Sequence, residues 1–157
     1  MDPDDLLIAA DDPRAPDVGA LLERHLAFTA GESPPEDVHA LGIDALVETD
    51  LEFVSCRDAD GIVLGVGAVA WLGDGHAELK SMHTAATSRG RGVGTALLTH
   101  LLGVARDRGC VRVSLETGSM SSIAPAWALY ARAGFEPCPP FGSYRVSPHS
   151  LCVTREL

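Results

Sequence analysis

Lysine is nearly missing from this chain. Lys80 is the one lysine among 12 basic residues, and 22 acids bring the net charge to −10. So acidic a chain repels a phosphate backbone, which argues against broad nucleic-acid binding and suits a cationic or amine partner better. No Cys-x-x-Cys pair occurs among Cys56, Cys110, Cys138 and Cys152, so these read as buried or half-buried thiols. The six histidines show no metal-ligand spacing. His76-Ala77-Glu78 matches half of a zinc deaminase signature, but Pro137-Cys138 runs on into Pro139, Pro140 and Phe141. The Cys-x-x-Cys half is therefore missing, and no metal is expected. Long apolar runs are missing too. The longest, Ile62 to Leu72, is interrupted by two glycines and falls short of the roughly 17–20 residues that cross a bilayer. Met1 to Asp5 carries three acids, and no basic residue precedes Arg14, which does not fit a secretory leader. The expectation is a cytoplasmic protein without membrane or nucleic-acid partners.

What is present suits one packed unit. The chain has 157 residues, 46% of them hydrophobic, and a single domain over 1–157 is expected. Leu6–Ala10 reads as a strand. Pro16 to about Ala30 has the 3.6-residue periodicity of a helix, and a second short helix through Val38, Leu41 and Leu46 follows. Leu51–Cys56, Ile62–Trp71 and His76–Thr84 read as three strands of an antiparallel meander joined by glycine turns. Val93–Arg108 predicts a helix with Ala96, Leu97, Leu101, Val104 and Ala105 facing inward. Strand Val111–Glu116, a helix from Ser122 or Ala124 to Gly134, a strand from Phe135 and a last strand Ser150–Glu156 complete the order. The sum is an α/β domain on a mixed sheet.

Chemistry concentrates after the third meander strand. Arg89-Gly90-Arg91-Gly92-Val93-Gly94 stands where a helix begins. A helix start carries unpaired N–H groups and partial positive charge, and glycines let a ligand approach the backbone. Arg89 and Arg91 add full charge, so the segment predicts a pocket for a pyrophosphate. Arg106, Arg108 and Arg112 follow in the same stretch of sequence and read as part of one positive site for a small anion. The alternative is a glycine-rich turn with solvated arginines. No lysine follows the glycines, so this is not a Walker A loop, and the Gly-x-Gly-x-x-Gly spacing is absent. Gly65-Val66-Gly67-Ala68-Val69-Ala70 does match a dinucleotide pattern, but the chain continues as a strand to Trp71 and Leu72. Those glycines mark a bulge or close packing instead.

Arg89-x-x-Gly92-x-Gly94 resembles the acetyl-CoA motif of the GNAT N-acetyltransferase superfamily. Ala128-Leu129-Tyr130-Ala131-Arg132-Ala133-Gly134-Phe135 resembles that family's second motif, a helix ending in Tyr-x-x-x-Gly-Phe. Glu78–Thr84 and Ser114–Gly118 look similar to a small bacterial subgroup of these enzymes. The resemblance implies a mixed, mostly antiparallel sheet of 6–7 strands with about four helices. It implies acetyl-CoA as co-substrate, held by Arg89, Gly90, Arg91, Gly92, Val93, Gly94 and Thr95 around the pyrophosphate. Met82 and Thr84 would pair with the pantetheine arm, and an N–H near Met82 or His83 would polarise the thioester carbonyl. Tyr130 would protonate the departing thiolate, which a phenol of pKa ≈ 10 can do. A core aromatic is the plain alternative for Tyr130.

An amine acceptor must lose a proton before it attacks. Glu78 and Glu116, on neighbouring strands, are the candidate bases, with His83 a third; each also fits a structural role. The acceptor wall falls on the early helices, with His39, and on the late loop, where Tyr144 and Arg145 would meet an acceptor carboxylate. The implied reaction is direct attack by a small-molecule primary amine in a ternary complex. A non-catalytic acyl-CoA-binding module is the alternative. Many relatives dimerise, so a homodimer stays open.

Overall fold

Alternating apolar stretches and glycine turns commit the middle of the chain to a meander, and the flanking helices cover its two faces. The computed structural model describes residues 6–32, 43–48, 50–118, 124–142, 144–148 and 150–157. In chain order the elements are β1 (Leu7–Ala10), α1 (Pro16–Glu32), α2 (Ile43–Glu48), β2 (Leu51–Arg57), β3 (Val63–Gly73), β4 (His76–Thr84), a 3-10 turn (Ala86–Ser88), α3 (Val93–Asp107), β5 (Arg112–Gly118), α4 (Ala124–Arg132), β6 (Glu136–Pro137) and β7 (Ser150–Glu156). The seven strands form one sheet in the order β1-β2-β3-β4-β5-β7-β6. β4 and β5 run parallel, and the other pairs are antiparallel. This is the mixed, mostly antiparallel sheet that the sequence predicts. The second helix is described from Ile43, so Val38 and Leu41 lie outside the described residues. No described helix is long and apolar enough to cross a membrane.

Helix α3 lies on one face of the sheet and is seated by two glycines. A Cβ on Gly65 would stand 2.8 Å from Val93 Cγ1 and 3.1 Å from Leu97 Cδ1. One on Gly67 would stand 2.6 Å from Met82 Sδ and 2.9 Å from Leu101 Cδ1. The strand glycines therefore serve close helix packing. The buried stripe of α3 is Val93, Leu97, Leu98, Leu101, Leu102 and Ala105. Ala96 and Val104, expected to face inward, are half-buried. The helix turns to bury four leucines instead, because buried area scales with side-chain size. On the opposite face Val18, Leu21 and Leu22 of α1 and Leu46 of α2 pack on Phe53, Val66 and Ala68. Arg57 ties β2 to what precedes it: its guanidinium meets Asp11 at 2.9 Å and Asp17 at 2.6 Å.

The sheet opens in its centre. β4 and β5 pair only at His76–Arg112, Ala77–Val113 and Glu78–Ser114, although β4 continues to Thr84 and β5 to Gly118. The cause lies in β4. Its register against β3 shifts between Val66 and Ala68, and Ser81 there takes a left-handed φ of 56°. A bulge adds residues to one strand and bends it, so β4 swings away from β5. The β4 edge facing the gap between Leu79 and Thr84 is left without a strand beside it.

Gly67→Val tests the seating of α3. Overpacking against Met82 and Leu101 is expected to cost roughly 1–3 kcal/mol, read from the urea midpoint. An unchanged midpoint would mean that α3 does not depend on that close approach.

Candidate active site

The start of α3 is uncapped. Gly92 is its N-cap with a left-handed φ of 80°, and no side chain caps it. That φ strains any L side chain with a Cβ. The first turn carries no acid, and the first helical bond runs from Ala96 N–H to Gly92 C=O at 3.0 Å. The N–H groups of Val93, Gly94 and Thr95 thus have no acceptor within the helix. Arg89, Gly90, Arg91, Gly92 and Thr95 are exposed, while Val93 is buried and anchors the turn. Such an end attracts an anion. Gly94 has a further reason to be glycine: a Cβ there would lie 3.1 Å from Leu129 Cδ2 on α4.

The arginines close in sequence are not one site. Arg106 is in the last turn of α3, roughly 20 Å from its start at 1.5 Å per residue. Arg108 lies 4.2 Å over the Trp71 ring. Arg112 bonds Glu156 at 3.0 Å and Thr154 at 2.9 Å. Only Arg89 and Arg91 of the five stand at the glycine loop, because a helix of this length carries its two ends far apart.

The Leu129–Gly94 contact brings α4 to the start of α3, and Tyr130 is the next residue. Its side chain is 7% exposed and packs edge-on against Phe135 at 5.8 Å. No hydrogen bond to its hydroxyl is found among the described residues. Burial pushes its pKa up to about 12, so the phenol keeps its proton at neutral pH. Met82, His83 and Thr84, all half-buried, follow the bulge on β4. Met82 Sδ lies at Gly67, His83 is opposite Val66, and Thr84 is opposite Gly65.

The other candidate residues gather on the opposite face of the sheet. Glu78 is 5% exposed. It accepts a short hydrogen bond from the Tyr144 hydroxyl and meets Lys80 Nζ at 3.2 Å. Lys80 also reaches the Tyr144 hydroxyl at 3.4 Å. The late loop is held here by rings as well: Phe141 contacts Tyr144 at 5.1 Å and His76 at 5.7 Å. His76 Nε2 meets Ser114 Oγ at 2.6 Å, and Ser114 meets Thr154 Oγ1 at 2.8 Å. Burial and then the charge of Arg112 lower the His76 pKa. Burial, then the Glu78 hydrogen bond, raise that of Tyr144. Glu116 accepts from Ser150 Oγ at 2.8 Å.

Tyr144 gives its hydroxyl to Glu78, so its first partner is an acid of this chain rather than an acceptor carboxylate. Arg145 is exposed beside it, and His39 lies outside the described residues. Lys80 and His76 were missed as site residues. Their signal was the alternation of β4, which puts residues 76, 78 and 80 on one face.

The sequence profile of the acetyltransferase (GNAT) family matches residues 20–135. The chain belongs to the GNAT family. This GNAT protein is 40% identical over 156 residues to the uncharacterized N-acetyltransferase YedL of Escherichia coli (strain K12), covering 96% of this chain and 98% of that one. It is 34% identical over 151 residues to the IAA acetyltransferase of Azospirillum brasilense, covering 96% and 97%. A GNAT acetyltransferase of Elizabethkingia anophelis, solved with acetyl-CoA bound, shares the fold with a TM-score of 0.71 at 17% identity, over 98% and 99% of the two chains. By family, then, the protein is an acyltransferase.

The Glu78 cluster makes a graded prediction for this GNAT enzyme. Lys80→Met leaves a buried carboxylate without its cation and is expected to cost about 3 kcal/mol. Tyr144→Phe removes the hydroxyl that donates to Glu78 and accepts from Lys80 and is expected to cost about 1–2 kcal/mol. Urea midpoints measure both, and two negligible shifts would show that Glu78 has other support.

Proposed function

We propose that the enzyme is a single domain over residues 1–157 that moves an acetyl group from acetyl-CoA to the primary amine of a small molecule, by direct attack in a ternary complex. The observation that carries this is Tyr130, a buried phenol with no hydrogen-bond partner found among the described residues, set beside an uncapped helix start. A buried donor left unsatisfied is costly, and a sulfur arriving in the β4–β5 gap satisfies it.

The residues fit the coenzyme. The N–H groups of Gly90 to Thr95 donate to a diphosphate, and Arg89 and Arg91 add charge from the solvent side. The β4 edge at Met82 to Thr84 offers backbone groups to an amide-bearing arm, as an added strand would use them. An N–H at Met82 or His83 holds the carbonyl oxygen as charge develops there. The coenzyme supplies an activated thioester, and Tyr130 holds at its hydroxyl oxygen the proton that the leaving sulfur takes. On the other side Glu116 accepts the proton of the amine, directly or through water. Glu78 is already engaged by Lys80 and by the Tyr144 hydroxyl. It orients the loop and the acceptor ammonium.

Tyr130→Phe is expected to lower kcat roughly 10²-fold and leave acetyl-CoA affinity within about threefold. Because burial holds Tyr130 protonated up to about pH 12, its own titration does not depress kcat between pH 8 and 10. The variant should lower the plateau of the pH profile and leave its shape alone. Unchanged kcat would assign the proton to another group. Gly92→Val places a side chain at a left-handed helix start and is expected to weaken acetyl-CoA binding at least about tenfold, at a strain of roughly 1–3 kcal/mol. Calorimetry with acetyl-CoA reads this, and equal affinity would remove the diphosphate site from the helix start.

A further inference from the structure

Two cysteines that the reaction does not use stand opposite each other. In the β6–β7 pair Glu136 faces Thr154 and Pro137 faces Val153, so the next step sets Cys138 against Cys152. The Cys138 N–H donates to the Cys152 carbonyl at 2.9 Å, which makes this a hydrogen-bonded antiparallel pair. Such pairs place the two Cα atoms about 5.5 Å apart, with both side chains on one face. That separation is within the range disulfides span. Both thiols are free. They also bracket the loop that carries Phe141 and Tyr144, the residues held against His76 and Glu78.

We propose that Cys138 and Cys152 form a reversible disulfide site that staples the base of the 139–148 loop. The oxidant class is a low-molecular-weight disulfide. Cys138, half-buried where Cys152 is buried, reacts first. Its thiol releases a proton to solvent, the thiolate attacks one sulfur of the small disulfide, and one small thiolate leaves and is protonated. The Cys152 thiol then loses its proton, attacks the Cys138 sulfur and expels the second small thiolate. Two protein thiols are oxidised, and one small disulfide is reduced to two thiols. The surroundings support this order. Burial raises both thiols, but the Arg112 charge opposes the rise at Cys138. At Cys152 burial, then Cys138 and Glu116, push the pKa up to about 11. The loop's place beside the acceptor rests on the proposed function, whereas the linkage itself does not.

The test uses the reduced full chain incubated with excess glutathione disulfide. Trypsin cuts after Arg132, Arg145 and Arg155, so Cys138 and Cys152 fall in the separate peptides Ala133–Arg145 and Val146–Arg155. The expected result is a joined pair, lighter by two hydrogens and separated again by dithiothreitol. The join is absent in Cys138→Ser and kept in Cys110→Ser, with the reduced melting temperature confirming that each variant folds. The staple also predicts a melting temperature higher by roughly 5–10 °C and slower native cleavage at Arg145. Oxidation that stops at a mixed disulfide on Cys138 would overturn the site. A joined pair with unchanged melting and cleavage would overturn the staple.

Discussion

The closeness of α3 to β3 governs the geometry of the whole site. Two missing side chains, at Gly65 and Gly67, let Val93, Leu97 and Leu101 rest almost on the strand backbone. That contact fixes the height of the helix over the sheet and therefore where its first turn points. The same turn receives Leu129 against Gly94, which places α4 and Tyr130. One steric condition in the middle of a strand thus sets the mutual position of the uncapped N–H groups and the buried phenol. Dispersion and area burial do the holding, and the polar groups are carried into place by apolar packing.

Electrostatics act locally against the overall sign of the molecule. A chain of net charge −10 presents two exposed arginines and an uncapped helix end on one side of the opening. On the other face it buries an acid and neutralises it with its single lysine, 3.2 Å away. The two faces thereby differ in character: one turns positive charge to solvent, and the other buries an ion pair. The Lys80–Glu78 pair is shielded from water, so breaking it exposes the full desolvation penalty that pairing offsets.

The glycine loop and the Tyr130 helix were legible in the sequence because each is a short-range pattern. Within six or eight residues, turn chemistry, helix start and side-chain identity are all set locally. The meander was legible for the same reason. The bulge at Ser81 was not, since it is a shift in the register of β4 against β3. The grouping of five arginines misled because nearness along a helix-bearing stretch is not nearness in space. The Tyr144–Glu78 contact was not legible, as it spans 66 positions. Periodicity says which face a residue takes and is silent on which distant ring will cover it.

The three-residue seam between β4 and β5 has a mechanical consequence. It is the sole stretch of ladder, among the described residues, that joins the four leading strands to the three trailing ones. A sheet sewn so briefly at its midpoint behaves as two leaves on a common spine, each stiffer within itself than toward its neighbour. A molecule lying between the leaves and bonding to their backbone lengthens the seam. On the proposed reading the coenzyme arm lies in that gap, so its binding is expected to stiffen one leaf against the other.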